Sequence, residues 1–460
     1  MTNPAAAGAG TGSKNRTSCS KRRRTFPGNG YLPNKSGGGS AVHLVHVRIW
    51  HLDASSRSLF VSRFFLTIAT LSCLFVSPAQ AGKHDAEFRH FLEAEVKPAA
   101  QAAGVKGATL SRELQGLTPD TSLPGLVGPG GKGSPPKVNF QAEFRAPANY
   151  FKDSQFNALV PGGRRLMKKH ARSLAAIEKR YGVPKRIILA IWARESGYGG
   201  AKIPHDAIRV LATRAFMGQR RDFFKDELIA ALKILQNGDV SRKAMKSSWG
   251  GAMGQPQFMP SSYLKYAVDF DGDNHPNIWG SEVDTMASIA NYLAKHGWVK
   301  GRDWGYEVVI PDSISCALEG PDNRTSISKW AAAGVKRVSG RPFPDHELAR
   351  PGNILMPAGR YGPAFIATEN FYVIKEYNES DTYALFVGHL ADRYGSNKGF
   401  AAAWKPTKKT TRGAVRTLQL ALEAKGHDVG GADGLIGFKT RRSIGKDQEA
   451  GGYFPTCWVG

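Results

Sequence analysis

The sequence predicts a mainly α-helical protein of the α+β class. Apolar residues recur at helical spacing in several segments between residues 85 and 297, whereas strand-like runs are few and short. The 460 residues are enough for two or three domains with at least one large hydrophobic core. We therefore expect a large helical body with small strand elements, followed by a small helical module near the C-terminus.

The first 56 residues are rich in Gly, Ser, Asn, Lys and Arg and contain little that could form a core. We expect them to be disordered. They are either a long extension of the protein or the result of a mistaken start codon.

Residues 57–81 have the order of a secretory signal peptide. Two arginines precede an apolar run over residues 64–76, and small residues follow it up to Ala81. The apolar run is too short for a stable membrane span. A lipid anchor at Cys73 is less favoured, since polar residues lead into it and apolar residues follow it. We expect cleavage after Ala81 and export to the periplasm.

Periodic segments predict the main helices of the body. A helical pattern of apolar residues begins at Asp85, and separate helices are predicted over residues 162–181, 187–196, 222–236 and 283–297.

The strand candidates are residues 306–310 and 371–374, and the Pro- and Gly-rich residues 119–138 predict a loop.

The helix that begins near Ile187 is apolar on every face and therefore reads as buried. Pro184 precedes it, and the Gly-Tyr-Gly-Gly run over residues 197–200 is expected to end it. Glu195 falls in its last turn, where apolar surroundings and the negative end of the helix dipole both raise the pKa of a carboxyl group. A carboxyl that stays protonated near neutral pH can act as a general acid. The alternative is a solvated or ion-paired glutamate at a helix end.

A glycine-rich segment over residues 247–263 suits a carbohydrate ligand. Ser248 and Gln257 offer hydrogen bonds, Trp249 and Phe258 offer flat apolar faces, and small residues allow the backbone to approach a ligand closely. The alternative is a structural turn with its aromatic residues in the core.

An acidic loop begins at Asp269. Oxygen ligands at its first, third and fifth positions match the start of a calcium loop, and the sixth residue, Asn274, tolerates the left-handed conformation. The twelfth position holds Gly280 instead of an acid, so Glu282 or Asp284 would have to close the shell. The alternative is a solvated acidic turn.

Two later segments complete the motifs. Residues 372–383 are rich in tyrosine, and Asn378 could orient a ligand amide or simply belong to a core turn. After a Lys/Thr-rich linker over residues 403–411, residues 412–460 predict a helix, two glycine turns and a second helix. Such a unit is too small for an active site of its own, which suggests a binding module.

Charge and cysteine content narrow the class of partner. The formal net charge is +25, which favours an anionic partner such as a wall polymer, an anionic lipid or nucleic acid. The export signal argues against nucleic acid.

No CxxC pair of cysteines occurs, so a structural zinc site is not expected. After cleavage only Cys316 and Cys457 remain, and they could pair.

Residues 85–400 resemble the lytic murein transglycosylase B family. The matching motifs are Tyr181-Gly182-Val183-Pro184, Glu195-Ser196-Gly197-Tyr198-Gly199, Gln219-Arg220-Arg221-Asp222-Phe223-Phe224, Gly251-Ala252-Met253-Gly254, Gln257-Phe258-Met259-Pro260-Ser261-Ser262-Tyr263, residues 269–273 and Ala290-Asn291-Tyr292-Leu293. Residues 412–460 resemble the three-helix peptidoglycan-binding module of wall enzymes. Residues 452–457 replace its usual last helix, so the module is expected to be truncated or impaired in binding.

The resemblance implies a lysozyme-like catalytic domain over residues 82–402. It implies cleavage of the MurNAc–GlcNAc β-1,4 bond of peptidoglycan without water, leaving a 1,6-anhydro end, with no cofactor required for the chemistry. Glu195 matches the catalytic acid. The substrate-binding candidates, among which we include Phe258 for its flat face, are Ser248, Gln257, Arg220, Arg221, Phe258, Tyr377, Asn378 and Tyr383. The residues that match a structural calcium loop are Asp269, Asp271, Asp273, His275 and Asp284.

A single acid suffices if the substrate supplies its own nucleophile, whereas ordinary glycosidases need two carboxylates. The sequence offers no obvious second acid near the Glu195 motif. Two alternatives remain: a hydrolytic muramidase on the same core, and a non-catalytic protein that binds the cell wall. In each case the expected partner is the glycan strand of peptidoglycan, with neither nucleic acid nor a stable membrane span involved.

Overall fold

The computed structural model describes residues 82–131, 147–408 and 410–459. The N-terminal extension, the signal peptide and the end of the loop expected over residues 119–138 lie outside these ranges. Within the described ranges, no helix is both long and apolar enough to cross a membrane.

Helices dominate the described residues, which confirms the mainly α, α+β prediction. In chain order they are α1 (Asp85–Phe91), α2 (Lys97–Ala102), α3 (Gly107–Leu114), α4 (Asp153–Lys169), α5 (Ala171–Tyr181), α6 (Lys185–Ser196), α7 (Ala207–Met217), α8 (Arg221–Asn237), α9 (Pro260–Tyr266), α10 (Glu282–Lys295), α11 (Ile327–Ala332), α12 (Asp345–Leu348), α13 (Glu369–Tyr377), α14 (Asp381–Gly395), α15 (Arg412–Ala424) and α16 (Phe438–Ala450). A π-helical turn, Leu92–Val96, joins α1 to α2.

The strands are short. They are β1 (His205–Asp206), β2 (Lys246–Ser247), β3 (Gly305–Val309), β4 (Thr325–Ser326), β5 (Lys336–Arg337), β6 (Pro351–Leu355), β7 (Pro357–Arg360) and β8 (Ala364–Ala367). Strand β3 confirms the strand predicted over residues 306–310. One antiparallel sheet has the order β4-β6-β8-β3-β5, with Tyr306 opposite Ile366 in its centre, and β1 pairs with β2 separately.

Two helical lobes bury separate apolar cores. One lobe gathers α4, α5, α6, α10, α13 and α14 around residues such as Trp192 and Phe371. The other gathers α1 to α3 and α7 to α9 around residues such as Phe88 and Leu228. Tyr292 and Tyr377 pack against both cores, so they mark the junction of the two lobes.

The single helix predicted over residues 162–181 is instead two helices, and the first of them begins earlier, at Asp153. The break falls at His170, whose φ of −107° and ψ of 29° leave the helical region. Its ring nitrogen lies 2.5 Å from a carboxylate oxygen of Glu282 on α10. The apolar periodicity continues across the break, so the sequence pattern alone could not reveal it.

The strand predicted over residues 371–374 is wrong, because these residues lie within α13. Thr368 caps that helix by accepting a hydrogen bond from the backbone N–H of Asn370, and Phe371 and Ile374 point together into the core. A four-residue apolar run has the same composition in a buried strand and in a buried helix, so periodicity cannot separate the two.

The C-terminal module consists of α15, α16 and an extended tail. The linker contacts the body through Trp404, whose ring stacks on Phe151 at 5.1 Å between centroids. After α16 the chain is extended, at the place where the sequence departs from the three-helix pattern, and the last described residues include the buried Cys457 and Trp458. Cys457 forms a disulfide with Cys316 of the body, which realises the pairing that the sequence left open.

Candidate active site

Helix α6 carries the candidate acid on a buried support. Its residues from Ile187 to Ala193 are all buried, as the wholly apolar sequence predicts. Pro184 precedes its first turn, and Gly197 ends it in the left-handed conformation, with φ of 58° and its N–H bonded to the carbonyl of Ala193. Glycine adopts this conformation without a steric penalty. The buried helix and its fixed end therefore hold the backbone of Glu195 in a defined position in the last turn.

Glu195 is only 7% exposed and has one direct side-chain partner among the described contacts. The hydroxyl of Tyr383 donates a hydrogen bond of 2.5 Å to its Oε1 atom. Burial raises the pKa of Glu195 from 4.5 to about 7, while the bond from Tyr383 and the charge of Arg194 act in the opposite direction. Near neutral pH this carboxyl can therefore both release and accept a proton.

Tyr383 reaches Glu195 from the first turns of α14. Ser380 caps that helix by accepting a hydrogen bond from the backbone N–H of Tyr383, and the tyrosine side chain is 1% exposed. The residues that form the bond are 188 positions apart in sequence, so only the packing of α14 against α6 brings them together.

The glycine-rich segment folds as a tight turn beside α6. Met253 pairs with Phe258 across the turn, and Gln257 takes a left-handed φ of 53° while its side-chain amide donates to the carbonyl of Gly254 at 2.9 Å. Gln255 links the turn to α6, because its Oε1 accepts the indole N–H of Trp192 at 3.0 Å. The sequence reasoning missed Gln255; its place inside the Gly-rich motif was the available signal.

Aromatic residues connect the same segment to α10 and α13. The hydroxyl of Tyr377 donates to the carbonyl of Pro256 at 2.6 Å, and the ring of Phe258 lies 5.7 Å from that of Tyr292 and 5.9 Å from that of Tyr377. Burial raises the pKa of Tyr377, and the nearby charge of Glu195 acts in the same direction. Tyr292 was also missed as a site residue, although it belongs to one of the quoted motifs.

Ser248, Asn378 and Arg220 lie around this cluster. The hydroxyl of Ser248 accepts a hydrogen bond from the backbone N–H of Ala252 at 3.2 Å, and the Asn378 side chain accepts one from the N–H of Ser380, also at 3.2 Å. The guanidinium of Arg220 stacks on Phe223 at 4.1 Å. Burial lowers the pKa of Arg220 and outweighs the opposing charges of Glu227 and Glu379. Glu379 lies in the turn between α13 and α14.

Arg221 has a different environment. Its Nε donates to the carbonyl of Ala215 at 3.0 Å, and its guanidinium lies 3.7 Å from Glu95 of the N-terminal helices. Among the described residues, no hydrogen bond or ion pair of Arg221 connects it to the cluster around Glu195.

The acidic loop gathers four carboxylates. The ligand oxygens of Asp269, Asp271, Asp273 and Asp284 lie within 4.8 Å of one another, which suits a hard cation such as calcium. Asn274 has the left-handed φ of 73° that its position predicts.

Other residues of the loop have different surroundings. The exposed His275 bonds to Asp273 through its backbone N–H, and its side chain is not part of the carboxylate group. Glu282 is paired with Lys169 and His170. Of the two acids considered for closing the loop, Asp284 is therefore the one that joins the other three carboxylates.

Comparisons with known proteins match most of the described chain. The sequence profile of the family described as Transglycosylase SLT domain matches residues 87–392. The membrane-bound lytic murein transglycosylase B of Escherichia coli (strain K12) is 32% identical over 280 residues, which are 61% of this chain and 72% of that protein.

Two crystal structures are similar in fold. SltB3 from Pseudomonas aeruginosa, in complex with NAG-anhNAM-pentapeptide, has a TM-score of 0.69 and 36% identity and covers 81% of this chain and 96% of its own. The lytic transglycosylase Slt35 of Escherichia coli, in complex with calcium, has a TM-score of 0.53 and 27% identity and covers 68% and 93%. A share of 81% exceeds what residues 82–402 alone could supply, so the similarity to SltB3 extends beyond them.

Proposed function

The chain belongs to the transglycosylase SLT domain family, and we propose that it is a peptidoglycan lytic transglycosylase. In this reaction the β-1,4 bond between MurNAc and GlcNAc is cleaved without water, and the MurNAc residue acquires a 1,6-anhydro ring. The observation that carries the proposal is the buried carboxyl of Glu195, whose pKa is about 7 and which Tyr383 holds at 2.5 Å.

Glu195 serves as the general acid in the first step. Its protonated carboxyl gives its proton to the glycosidic oxygen as the bond breaks, and the N-acetyl group of MurNAc stabilises the cationic character that develops at the anomeric carbon. Tyr383 orients the carboxyl, and its hydrogen bond stabilises the carboxylate that proton transfer leaves behind.

The second step uses the same carboxylate as a base. Glu195 takes the proton of the MurNAc C6 hydroxyl, whose oxygen attacks the anomeric carbon and closes the anhydro ring. Attack within one sugar benefits from proximity over attack by water. The groups that act on the Glu195 carboxyl within the described chain are Tyr383 and Arg194, and neither is a carboxylate. This supports a one-acid reaction over a two-carboxylate hydrolase.

The residues around Glu195 form the proposed glycan groove. Tyr377 offers an aromatic face, and Gln257, Ser248 and Asn378 offer polar groups to sugar hydroxyls and amides. Phe258 is 2% exposed and belongs to the apolar core of the second lobe, so it supports the turn from within. Arg220 contributes positive charge at the α13–α14 turn, whereas the contacts of Arg221 with Ala215 and Glu95 support a structural role within the second lobe.

Substitution Glu195→Gln tests the function. It keeps the shape of the side chain and removes the proton, so we expect kcat on purified sacculi to fall about 10²- to 10⁴-fold, which is the usual contribution of general acid–base catalysis. Mass spectrometry of the wild-type products should show anhydro ends, one water lighter than reducing ends. Glu113→Gln is the matched control, because Glu113 is a buried glutamate paired with Arg242 on the other lobe.

Two results would overturn this assignment in different ways. Reducing, hydrated ends would make the protein a muramidase. Binding to sacculi without product release by the wild-type chain would make it a wall-binding protein.

We also propose that a calcium ion binds the acidic loop. Asp269, Asp271, Asp273 and Asp284 would supply carboxylate oxygens, and position seven, His275, would supply its backbone carbonyl. The ion would order the loop before α10 and takes no part in proton transfer. Thermal unfolding with and without added Ca²⁺ tests the site.

We infer further that the protein acts outside the cytoplasmic membrane, where its substrate lies, and that residues 412–460 contribute to wall binding. The predicted signal peptide supports this location, and the excess of Lys and Arg over Asp and Glu that remains after residue 81 supports an anionic wall partner. Cosedimentation of the Glu195→Gln variant with sacculi, compared with the same variant carrying Tyr453→Ala on the exposed tail, tests binding by the module; equal binding would argue against it.

A further inference from the structure

The C-terminal module is joined to the catalytic body by a buried ion pair as well as by the disulfide. Arg441 of α16 is 4% exposed in its side chain and faces Glu319, which is fully buried. Two nearly parallel hydrogen bonds join them: Nε to Oε2 at 3.0 Å and Nη2 to Oε1 at 2.6 Å. Glu319 also accepts the backbone N–H of Met356 at 2.8 Å. A bidentate pair of this kind holds direction as well as distance.

The same guanidinium also contacts the lobe that carries Glu195. Nη2 of Arg441 lies 3.3 Å from Oδ2 of Asp381, the first residue of α14. The other oxygen of Asp381 accepts a hydrogen bond of 2.6 Å from Lys375 of α13. Two cations and two anions therefore balance in one largely buried group. Burial raises the pKa of Asp381, but Lys375 and Arg441 outweigh it, so its pKa lies below the ordinary value.

This group closes the turn that carries the proposed groove residues. Lys375 precedes the turn and Asp381 follows it, while Tyr377 and Asn378 lie between them. Tyr383 comes two residues after Asp381 on the same helix and donates to Glu195. Any rotation or shift at the start of α14 therefore moves the hydroxyl that orients the acid.

We propose that Arg441 of the C-terminal module is a positioning residue for catalysis, which acts through Asp381 on the start of α14 and so on the Tyr383–Glu195 pair. The inference rests on the proposed function, because it assumes that Glu195 is the acid. It assigns the module a role in turnover that is separate from any role in wall binding.

The test compares kcat and KM on a soluble glycan fragment of alternating GlcNAc and MurNAc. Arg441→Met alone would leave Glu319 buried without its partner, so the variant to use is the double substitution Arg441→Met/Glu319→Gln. We expect its kcat to fall about tenfold with KM changed less than about twofold, since small displacements of catalytic groups slow the chemical step. Arg441→Lys, which keeps the charge, should recover part of the loss.

Arg442→Met is the matched control. Arg442 is the next residue of α16 and also bridges to the body, through Asp322 at 3.0 Å, but it does not contact Asp381. We expect its kcat to match that of the wild type. The Cys316–Cys457 disulfide, checked by thiol titration, should remain intact in every variant.

Asp381→Asn probes the other end of the link. If Arg441 acts through Asp381, this substitution should lower kcat by itself, and adding it to the double variant should cause little further loss. Wild-type kcat in the double variant, with only a lower unfolding temperature, would show that Arg441 merely holds the module and would overturn the inference. Absence of anhydro products from the wild-type chain would instead refute the proposed function.

Discussion

Glu195 stands between two opposing influences. Removal from water favours the neutral carboxyl, and the hydroxyl of Tyr383 and the charge of Arg194 favour the carboxylate. Burial is the largest of these and moves the pKa to about 7. A buried glutamate without the bond from Tyr383 would hold its proton too strongly to give it to the glycosidic oxygen. An exposed glutamate would already be ionised at neutral pH and would have no proton to give. The pairing therefore suits a residue that must act first as an acid and then as a base.

Tyr383→Phe should move the pH profile in a defined direction. The lost hydrogen bond stabilised the carboxylate, so its removal raises the pKa of Glu195 above about 7. The reaction needs the protonated acid, and the limb of kcat/KM that falls at high pH should therefore shift to higher pH. Measurement of kcat/KM against pH reports this limb.

Tyr394→Phe provides the control for that experiment. Tyr394 lies on the same helix and is also buried, but its hydroxyl is hydrogen-bonded to that of Tyr198 and not to Glu195. Its loss should leave the position of the alkaline limb unchanged. A shift of the Tyr383→Phe limb to lower pH would contradict the account of the acid given above.

The loop before α10 holds its carboxylates in place with backbone hydrogen bonds. Asp284 accepts backbone N–H bonds from Phe270, Asp271 and Asn277, and Asp269 accepts two more. These bonds fix Asp269 and Asp284 within a group of four carboxylates whose charges repel each other. Burial raises the pKa of Asp284, and the charge of Asp271 adds to the effect. A divalent ion would relieve the repulsion while the loop keeps its shape.

Calcium should therefore raise the unfolding temperature of the protein. At a concentration one hundred times the dissociation constant, an ion that binds only the folded state contributes about 2.7 kcal/mol. Asp271→Asn removes one exposed ligand and should reduce the shift, whereas Asp222→Asn, on the surface of α8, should not. Equal shifts in both variants would mean that calcium binds elsewhere.

At the scale of the whole molecule, the C-terminal module is built into the body. The disulfide between Cys316 and Cys457 closes a loop of 141 positions, and the apolar core of the module includes Ala358 of the body. The Arg441–Glu319 pair lies in the same interface. The sequence alone suggests a separate binding domain, but in the structure this unit is packed against the body and covalently joined to it.

Loss of the disulfide should lower the free energy of unfolding. In the chain-entropy view a loop of this length contributes up to about 5 kcal/mol, and strain or residual structure reduces the amount. Denaturant unfolding of Cys316→Ser/Cys457→Ser should show a lower midpoint than the wild type. A reducing agent should lower the wild-type midpoint to that of the variant and leave the variant itself unchanged; a variant as stable as the wild type would contradict the role assigned to the bond.

The sequence by itself determined those features whose causes are local. The apolar residues of α6, the glycine that ends it and the glutamate in its last turn are adjacent in the chain, so their pattern suffices. The spacing of Asp269, Asp271 and Asp273 is local in the same sense. Residues 371–374 show the limit, because four apolar residues specify burial but not the type of element.

Only the tertiary structure decided which distant groups meet. The bond from Tyr383 to Glu195 spans 188 positions, and the pair formed by Arg441 and Glu319 spans 122. Such contacts depend on how whole helices pack, and no periodicity within one segment encodes them. The sequence therefore determined which residue can be the acid, and the packing of α14 against α6 decided its hydrogen bond to Tyr383 and its burial, which set its pKa.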